Sequence, residues 1–366
     1  MTRVLKVAVI GGGVGRVHVH NYQALPEYFE VVEICDLESE KAQQIASESH
    51  VPNWTTDLNS LYQSNNIDVL DFCTPPYQHY EQIMKALAAG KHVVCEKPLV
   101  GSLAQVDHLI EASRASGKLV MPILQYRFGR GLQKLKRLVD REIAGHPYLS
   151  TVEVAWRRRE DYYASAWRGK WETELGGTLL NHAIHHLDML CYIAGPVRNV
   201  FARTASLVNP IEVEDSASVS LEMENGSLAT LSATLGSAHE ISRLRFCFQN
   251  LTAESNPKPY SASDDPWVYT GDTEEIDAQI DATLSGFPSG RPVFEEQFVN
   301  FHAAVCDGEP LAVGLTEARN LLEVMTAIYE SAQTNSPVSL PIATDHPKYF
   351  GWAPARATPI PQENNG

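Results

Sequence analysis

The feature that most constrains this chain lies at its start. Val4 to Ile10 is a short, β-rich apolar run that ends in Gly11-Gly12-Gly13-Val14-Gly15, and a helical stretch follows to about Leu25. Strand, glycine loop and helix form the setting in which main-chain N–H groups and a helix N-terminus receive a pyrophosphate. The strict G-x-G-x-x-G spacing is not met, because its sixth position is Arg16 and the last glycine comes one residue early. A second run, Glu30 to Cys35, ends in Asp36, 23 residues after Gly13, close to the spacing of a carboxylate that binds ribose hydroxyls. Asp36 would repel a 2′-phosphate and Leu37 beside it supplies no cation, so NAD is expected in preference to NADP.

The alternation continues. Helical stretches near Glu38–Ser49 and Leu58–Gln63 lead to the strand Ile67–Cys73, which Thr74-Pro75-Pro76 halts; a helix from His79 to Ala89 is closed by Gly90. Lys91 to Pro98 then reads as a buried strand that carries Lys97 to its carboxyl end, where open α/β sheets bind ligands. After a helix near Leu103–Ser116 and a strand Lys118–Gln125, a helix from about Leu132 to Ala144 leads onward. Strands separated by helices predict a doubly wound parallel sheet, an α/β Rossmann domain over 1–125.

The second half alternates polar and apolar residues in longer strands: Tyr148–Arg158, Arg198–Leu207, Ala217–Met223 joined through Asn225-Gly226 to Ser227–Leu235, and Arg243–Gln249. Loops near Ser255–Pro266 and Ser285–Pro292 and helices near Glu295–Cys306 and Thr316–Thr334 complete an α+β domain over 126–350, built on a large, mostly antiparallel open sheet. Residues 351–366 are expected to form a tail, frayed after Pro354.

Charge and composition exclude several classes. The net charge of -16, from 29 basic and 45 acidic residues, opposes a phosphate backbone, so nucleic acid is not an expected partner. No apolar run is long enough for a membrane span, and Val7–Ile10 leads into glycines instead of a signal-peptide core, which predicts a soluble, cytoplasmic protein. Six scattered cysteines without a C-x-x-C pair fit reduced, buried thiols.

Gly176-Gly177 opens a helical run in which Leu180, Ala183, Ile184, Leu187, Leu190, Cys191 and Ala194 form one apolar face. Asn181, His185 and Asp188 stand at i, i+4 and i+7, on a single stripe. His182 and His186 are an i, i+4 pair, but without an H-E-x-x-H pattern no metal is expected.

The order of glycine loop, Thr74-Pro75-Pro76 with His79, Gly90-Lys91-His92-Val93-Val94-Cys95-Glu96-Lys97-Pro98, Trp167-Arg168-Gly169 and the Gly-Gly helix with His185 resembles the glucose-fructose oxidoreductase / inositol dehydrogenase (Gfo/Idh/MocA) family over nearly the whole chain. Glu330-Ser331 with Val338-Ser339-Leu340-Pro341 is similar to that family's ending. The resemblance implies NAD(P) held between two domains, subunits paired as a homodimer or homotetramer through the C-terminal sheet, and a Lys and a His flanking the reacting carbon, here Lys97 and His185. The family commonly has Asp four residues before that His; this chain has Asn181, whose amide can still orient a sugar hydroxyl. A cis Lys97–Pro98 bond is expected on the same ground.

The chemistry implied is hydride transfer from a secondary alcohol of a sugar, glycoside or cyclitol, with imidazole as base and Lys97 facing the developing oxyanion. Catalysis is assigned to Lys97, His185 and Asn181. The expected coenzyme contacts are Gly11, Gly13, Val14, Gly15, Asp36, Leu37, Thr74, Pro75, Pro76, His79, Glu96, Lys97, Trp167 and Arg168. Those expected at the substrate are Lys97, Tyr126, Arg158, Tyr163, Arg168, Asn181, His182 and His185, with Tyr162 and Trp167 offering further stacking faces. Three alternatives stay open: a redox-neutral glycosidase that retains its NAD, a non-catalytic dinucleotide-binding regulator, and a reductase of imine or bilin-type substrates, which would not need His185.

Overall fold

Two sheets organise the computed structural model, which describes residues 3–354; the tail expected to fray after Pro354 lies outside the described residues. In the first half β1 (Leu5–Ile10), α1 (Gly15–Gln23), β2 (Phe29–Cys35), α2 (Ser39–Glu48), β3 (Asn53–Thr55), α3 (Leu58–Gln63), β4 (Val69–Phe72), α4 (His79–Ala88), β5 (His92–Cys95), α5 (Leu103–Ser116) and β6 (Val120–Pro122) alternate. Their strands pair in parallel in the order β3-β2-β1-β4-β5-β6. Helices cover both faces, which is why β4 is buried along its whole length, Asp71 included, and β5 from Val93 onward. Strand order reverses between β1 and β4, so the glycine loop and Thr74-Pro75-Pro76 flank the crevice where such sheets bind ligands.

After α6 (Arg130–Asp140), the second sheet is built from β7 (Pro147–Arg157), β8 (Val197–Ala205), β9 (Ser216–Met223), β10 (Leu228–Thr234), β11 (Gly236–Phe248), β12 (Leu251–Glu254), β13 (Val268–Gly271) and β14 (Val338–Ser339), in the order β13-β12-β11-β7-β10-β9-β8-β14. Only β7 and β10 run parallel; the other pairs are antiparallel. Gly226 turns the β9–β10 hairpin at φ +85°, the left-handed backbone that favours glycine. Between the strands lie α7 (Glu160–Tyr163), α8 (Ile184–Ala194), α9 (Glu274–Leu284), α10 (Val293–Cys306) and α11 (Leu315–Thr334). Sequence periodicity does not reveal β3, β12, β13, β14 or α9. The strands are two to four residues long, and α9 buries only Ile280, so neither strand alternation nor an apolar stripe has room to register.

The last helices tie the halves together. On α10, Phe298 stacks against Tyr22 of α1 with ring centroids 4.0 Å apart, and Phe301 is buried in the same cluster as Leu5, Val7 and Val9. Burial of each such side chain contributes about 1.5–3 kcal/mol. On α11, Arg319 Nε bonds Asp107 of α5 at 2.7 Å, while Ala327 and Ile328 are fully buried in the cluster that also holds Val200 and Ala202 of β8. Late in sequence, α11 thus joins the two halves, from α5 beside the first sheet to β8 of the second, while α10 packs onto the first sheet.

Candidate active site

The three odd-numbered glycines of the first loop do different work. Gly11 has φ +98°, and a Cβ there would lie 2.6 Å from the Cys73 carbonyl oxygen, so only glycine lets the ends of β1 and β4 approach this closely. Nothing lies within 4 Å of the Cβ position of Gly13, which together with Val14 lines open space beside the first turn of α1. Gly15 corrects an expectation: it is buried, its Cβ position lies 3.0 Å from Val9 Cγ1, and it packs α1 onto β1 away from the cavity wall.

Asp36 and Leu37 stand at the far end of this cavity. Asp36 accepts from Gly12 N at 2.7 Å and Glu38 N at 3.0 Å, and Lys41 Nζ lies 3.0 Å away. Burial alone would raise its pKa, but the two N–H donors and Lys41 outweigh it and hold Asp36 below the ordinary carboxylate range. Leu37 supplies no cation, but Lys41, in the first turn of α2, places one beside Asp36.

Thr74, Pro75 and Pro76 line the same cavity. His79 does not line it. Fully buried, its ring nitrogens approach Pro98 O at 2.9 Å and Thr74 O at 2.8 Å, so it braces the Thr-Pro-Pro turn against the Glu-Lys-Pro turn. The Lys97–Pro98 bond is cis, as the sequence led us to expect.

Lys97 and the helix from the other half meet at the near end. Lys97 Nζ donates to the main-chain carbonyl of Asn181 at 2.7 Å. This is possible because α8 is preceded by a π-helical turn over Leu179–Ala183, a widening that frees carbonyls from the regular ladder and recurs at functional sites. Asn181, His182 and His185 all line the cavity. The Asn181 amide is not a free donor, however: its Nδ2 is engaged with Gly176 O at 2.6 Å and Gly177 O at 3.3 Å. Asp188 also leaves the expected stripe, forming a buried ion pair with Arg127, whose Nε lies 3.1 Å from Asp188 Oδ2.

Gly177 is obligatory, because a Cβ there would lie 1.7 Å from Glu214 O. The Glu214 carboxylate accepts from Gly177 N and Leu179 N, each at 3.0 Å, and from Tyr329 Oη at 3.1 Å, capping the turn. Burial pushes this carboxyl up to about 7 despite those donors. Glu214 stands 33 residues beyond Asn181 and carries no local signal in the sequence.

His185 is buried, stacked on Tyr126 with centroids 4.7 Å apart, and its Nδ1 has no hydrogen-bond partner among the described residues. Burial first, then the Lys97 charge, hold its pKa well below the histidine range, and His182 is lowered by the same two causes. Both rings are therefore neutral at pH 7. Burial also lowers Lys97, opposed by the nearby Glu96 carboxylate.

Aromatic and guanidinium groups enclose the remaining wall. Arg158 donates to Glu240 Oε1 at 3.0 Å and to Tyr260 Oη at 3.1 Å, and Arg168 lies over Trp167 and Tyr162, pairing with Glu174 at 3.2 Å. Tyr163 corrects another expectation: it packs on the core while Tyr162 takes the cavity position. Trp156, Gln125, Tyr260 and Phe294 also line the cavity; Tyr260 and Phe294 lie more than 65 residues beyond the end of α8, too far along the chain for a local signal. The whole crevice encloses about 930 Å³, at the upper end for a small-molecule site. An elongated crevice with a carboxylate at one end, open glycine backbone and a helix start in the middle, and Lys97 with His185 at the other has donors and room for a dinucleotide plus a small polar molecule.

Comparison with known proteins places this geometry. The family model described as "Oxidoreductase family, NAD-binding Rossmann fold" matches residues 5–124, and the GFO/IDH/MocA C-terminal domain model matches residues 132–253. The D-glucoside 3-dehydrogenase of Escherichia coli is 26% identical over 92% of this chain and 97% of its own. The uncharacterized oxidoreductase YrbE of Bacillus subtilis is 30% identical over 63% of this chain and 67% of its own. Among solved structures, the WlbA dehydrogenase of Bordetella pertussis in complex with NADH and UDP-GlcNAcA is 26% identical, with a TM-score of 0.82 covering 93% of this chain and 99% of that one.

Proposed function

The chain belongs to the Gfo/Idh/MocA family of oxidoreductases, and from that premise we propose that it is an NAD-dependent dehydrogenase that oxidises a secondary hydroxyl of a sugar, glycoside or cyclitol. The observation that carries this reading is the meeting of Lys97 with the π-turn of the other half, one helical turn before His185, at the inner end of the crevice. Relatives named for a D-glucoside and for myo-inositol support the substrate class. NAD, held along Gly11 to Val14, Asp36, Thr74 to Pro76 and the Trp167-Arg168 strap, supplies the hydride acceptor when bound.

The chain's own residues do the rest. His185, neutral at pH 7, takes the hydroxyl proton. Lys97 exchanges its bond to Asn181 O for one to the substrate oxygen and stabilises negative charge there. Trp156, Tyr162 and Tyr260 offer faces for the ring, and Arg158 and Arg168 offer donors for its hydroxyls. We place subunit pairing, as a homodimer or homotetramer, on the open face of the second sheet, where Leu149, Phe201 and Leu228 are exposed. Among the described residues no helix is long and apolar enough to cross a membrane, and a cytoplasmic location belongs to the same proposal.

The test is a panel of polyols, free sugars and glycosides with NAD, following nicotinamide reduction and aglycone release together. Reduction without release is the expected result. Release without net reduction would replace this reading by a redox-neutral glycosidase, and neither signal across the panel would refute catalysis on these substrates.

A further inference from the structure

Behind the crevice wall lies a buried charged group to which the reaction outlined above assigns no role. His18, on α1, is 0% exposed and does not touch the cavity. Its Nδ1 is 2.8 Å from Asp71 Oδ2, and its Nε2 is 3.1 Å from Glu96 Oε1. Cys73 Sγ lies 3.4 Å from Nδ1, and Phe294 and Phe298 of α10 close the remaining side with ring centroids 5.2 and 5.6 Å away. The other oxygen of Glu96 accepts from Lys97 N at 3.1 Å.

An ionised carboxylate only accepts hydrogen bonds. A ring with a carboxylate on each nitrogen therefore needs a proton on both, and a neutral imidazole would leave one buried carboxylate facing a lone pair. Asp71 and Glu96 come from adjacent strands, β4 and β5, and a single charge between them offsets much of the cost of burying both. His18, Asp71 and Cys73 also have donor atoms within 4.8 Å of one another, but both ring nitrogens are already committed to carboxylates, which makes this an ion-pair cluster and not a metal centre.

We propose that His18 is a positioning residue: held as an imidazolium between Asp71 and Glu96, it fixes the Glu96 carboxylate and, through it, the main chain that presents Lys97. The sequence order makes the link direct. His18 sits one turn into the helix whose N-terminus borders the glycine loop, so the coenzyme wall and the reactive ammonium are joined through one buried ring. Burial opposes the charge on His18, but Asp71 outweighs it and holds the ring well above the histidine range; Glu96, which burial would raise, is brought to about 2 by His18 and Lys97. The titratable groups facing the ring are Asp71 and Cys73 at the end of β4, Glu96 at the end of β5, and Tyr22 one turn on in α1; α10 presents only phenyl rings. That the ammonium so placed is the reactive one rests on the dehydrogenase reading above.

The test uses the full chain without substrate. In ¹⁵N-histidine-labelled protein at pH 7.5, the His18 signals, identified by their loss in His18→Gln, should show both ring nitrogens protonated; a single protonated nitrogen overturns the proposal. Asp71→Asn, which keeps the side-chain size, should convert them to the neutral pattern, and an unchanged imidazolium pattern there counts against it. In ¹³Cε-lysine-labelled protein, the Lys97 resonance, assigned with Lys97→Met, should titrate about one pH unit higher in His18→Gln, because a positive neighbour is lost and Glu96 is free to swing towards the ammonium. A purely packing role leaves that midpoint where it is, and that result overturns the proposal. If His18→Gln does not fold, the His18 signals are assigned from through-space contacts to the Phe294 and Phe298 rings, and the nitrogen comparison between the wild type and Asp71→Asn decides. No sugar enters either measurement, so a failure here leaves the dehydrogenase reading intact, and an inactive sugar panel leaves this inference intact.

Discussion

Replacing His185 by Ala separates chemistry from stability in this molecule because of how the ring is held. It stacks on Tyr126, a contact worth about 0.5–1.5 kcal/mol, while its buried Nδ1 lacks a partner, at a cost of about 1–3 kcal/mol. Truncation loses the first and relieves the second, and the space it leaves adjoins the crevice. The two terms roughly cancel, so the net change in stability should stay within about 1 kcal/mol, or roughly 2 °C in Tm. The general base, by contrast, contributes about 10² to 10⁴ in rate, or roughly 2.7 to 5.4 kcal/mol of barrier. The assay is turnover on whichever sugar in the panel is oxidised, NADH affinity by fluorescence, and Tm by calorimetry, all on the same His185→Ala preparation. The expected outcome is turnover lower by at least 10²-fold with coenzyme affinity and Tm almost unchanged. Retained turnover at a clearly lowered Tm would refute the reasoning, and the ring would then be a core element.

Lys97→Ala should cost a similar factor, and the Lys97→Ala/His185→Ala double variant should lose far less than the product of the two, because both act on one substrate oxygen; multiplicative losses would assign them to separate steps. Wild-type kcat/KM with NAD should exceed that with NADP, and Lys41→Ala should widen the gap several-fold by leaving the Asp36 charge uncompensated; equal efficiencies in the wild type would refute the role of Asp36. Gly177→Ala should lower stability by more than about 3 kcal/mol, since its Cβ would meet main chain at 1.7 Å, and an unshifted urea midpoint would contradict this. His186 is buried and burial lowers its pKa to about 4, so the unfolded chain binds a proton that the folded one refuses: the stability it contributes is full above pH 6.5 and is lost as pH falls towards 4, by up to about 1.4 kcal/mol per pH unit. Urea midpoints at pH 7 and 5 should therefore converge in His186→Phe relative to wild type, and an identical acid dependence in both would refute that assignment.

Much of the site was legible in the chain because its signals are local. Glycines at Gly11 and Gly13, a carboxylate at the end of the second strand, a Lys before Pro98 and a His on an apolar helix each announce themselves within a few residues, since a turn, a strand end or a helix face is made by neighbours in sequence. Most of the parallel sheet was legible for the same reason: burial on both faces writes itself into the central strands β1, β4 and β5. What tertiary structure alone decided depends on residues far apart in sequence. The π-turn that frees the Asn181 carbonyl is imposed where Gly177 crosses Glu214, and helical periodicity read along one segment assumes a ladder that this crossing interrupts. Tyr162 and not Tyr163 faces the crevice, Asp188 leaves its stripe for Arg127, and Lys41 reaches Asp36, because which side of a short segment is buried is set by what packs against it. The parallel pairing of β7 with β10 and the return of α10 onto the first sheet were equally invisible, for a strand or helix has the same internal pattern whichever partner it meets. Sequence determines the local shapes and their reactive groups here, while the pairing of surfaces distant along the chain determines which of those groups meet.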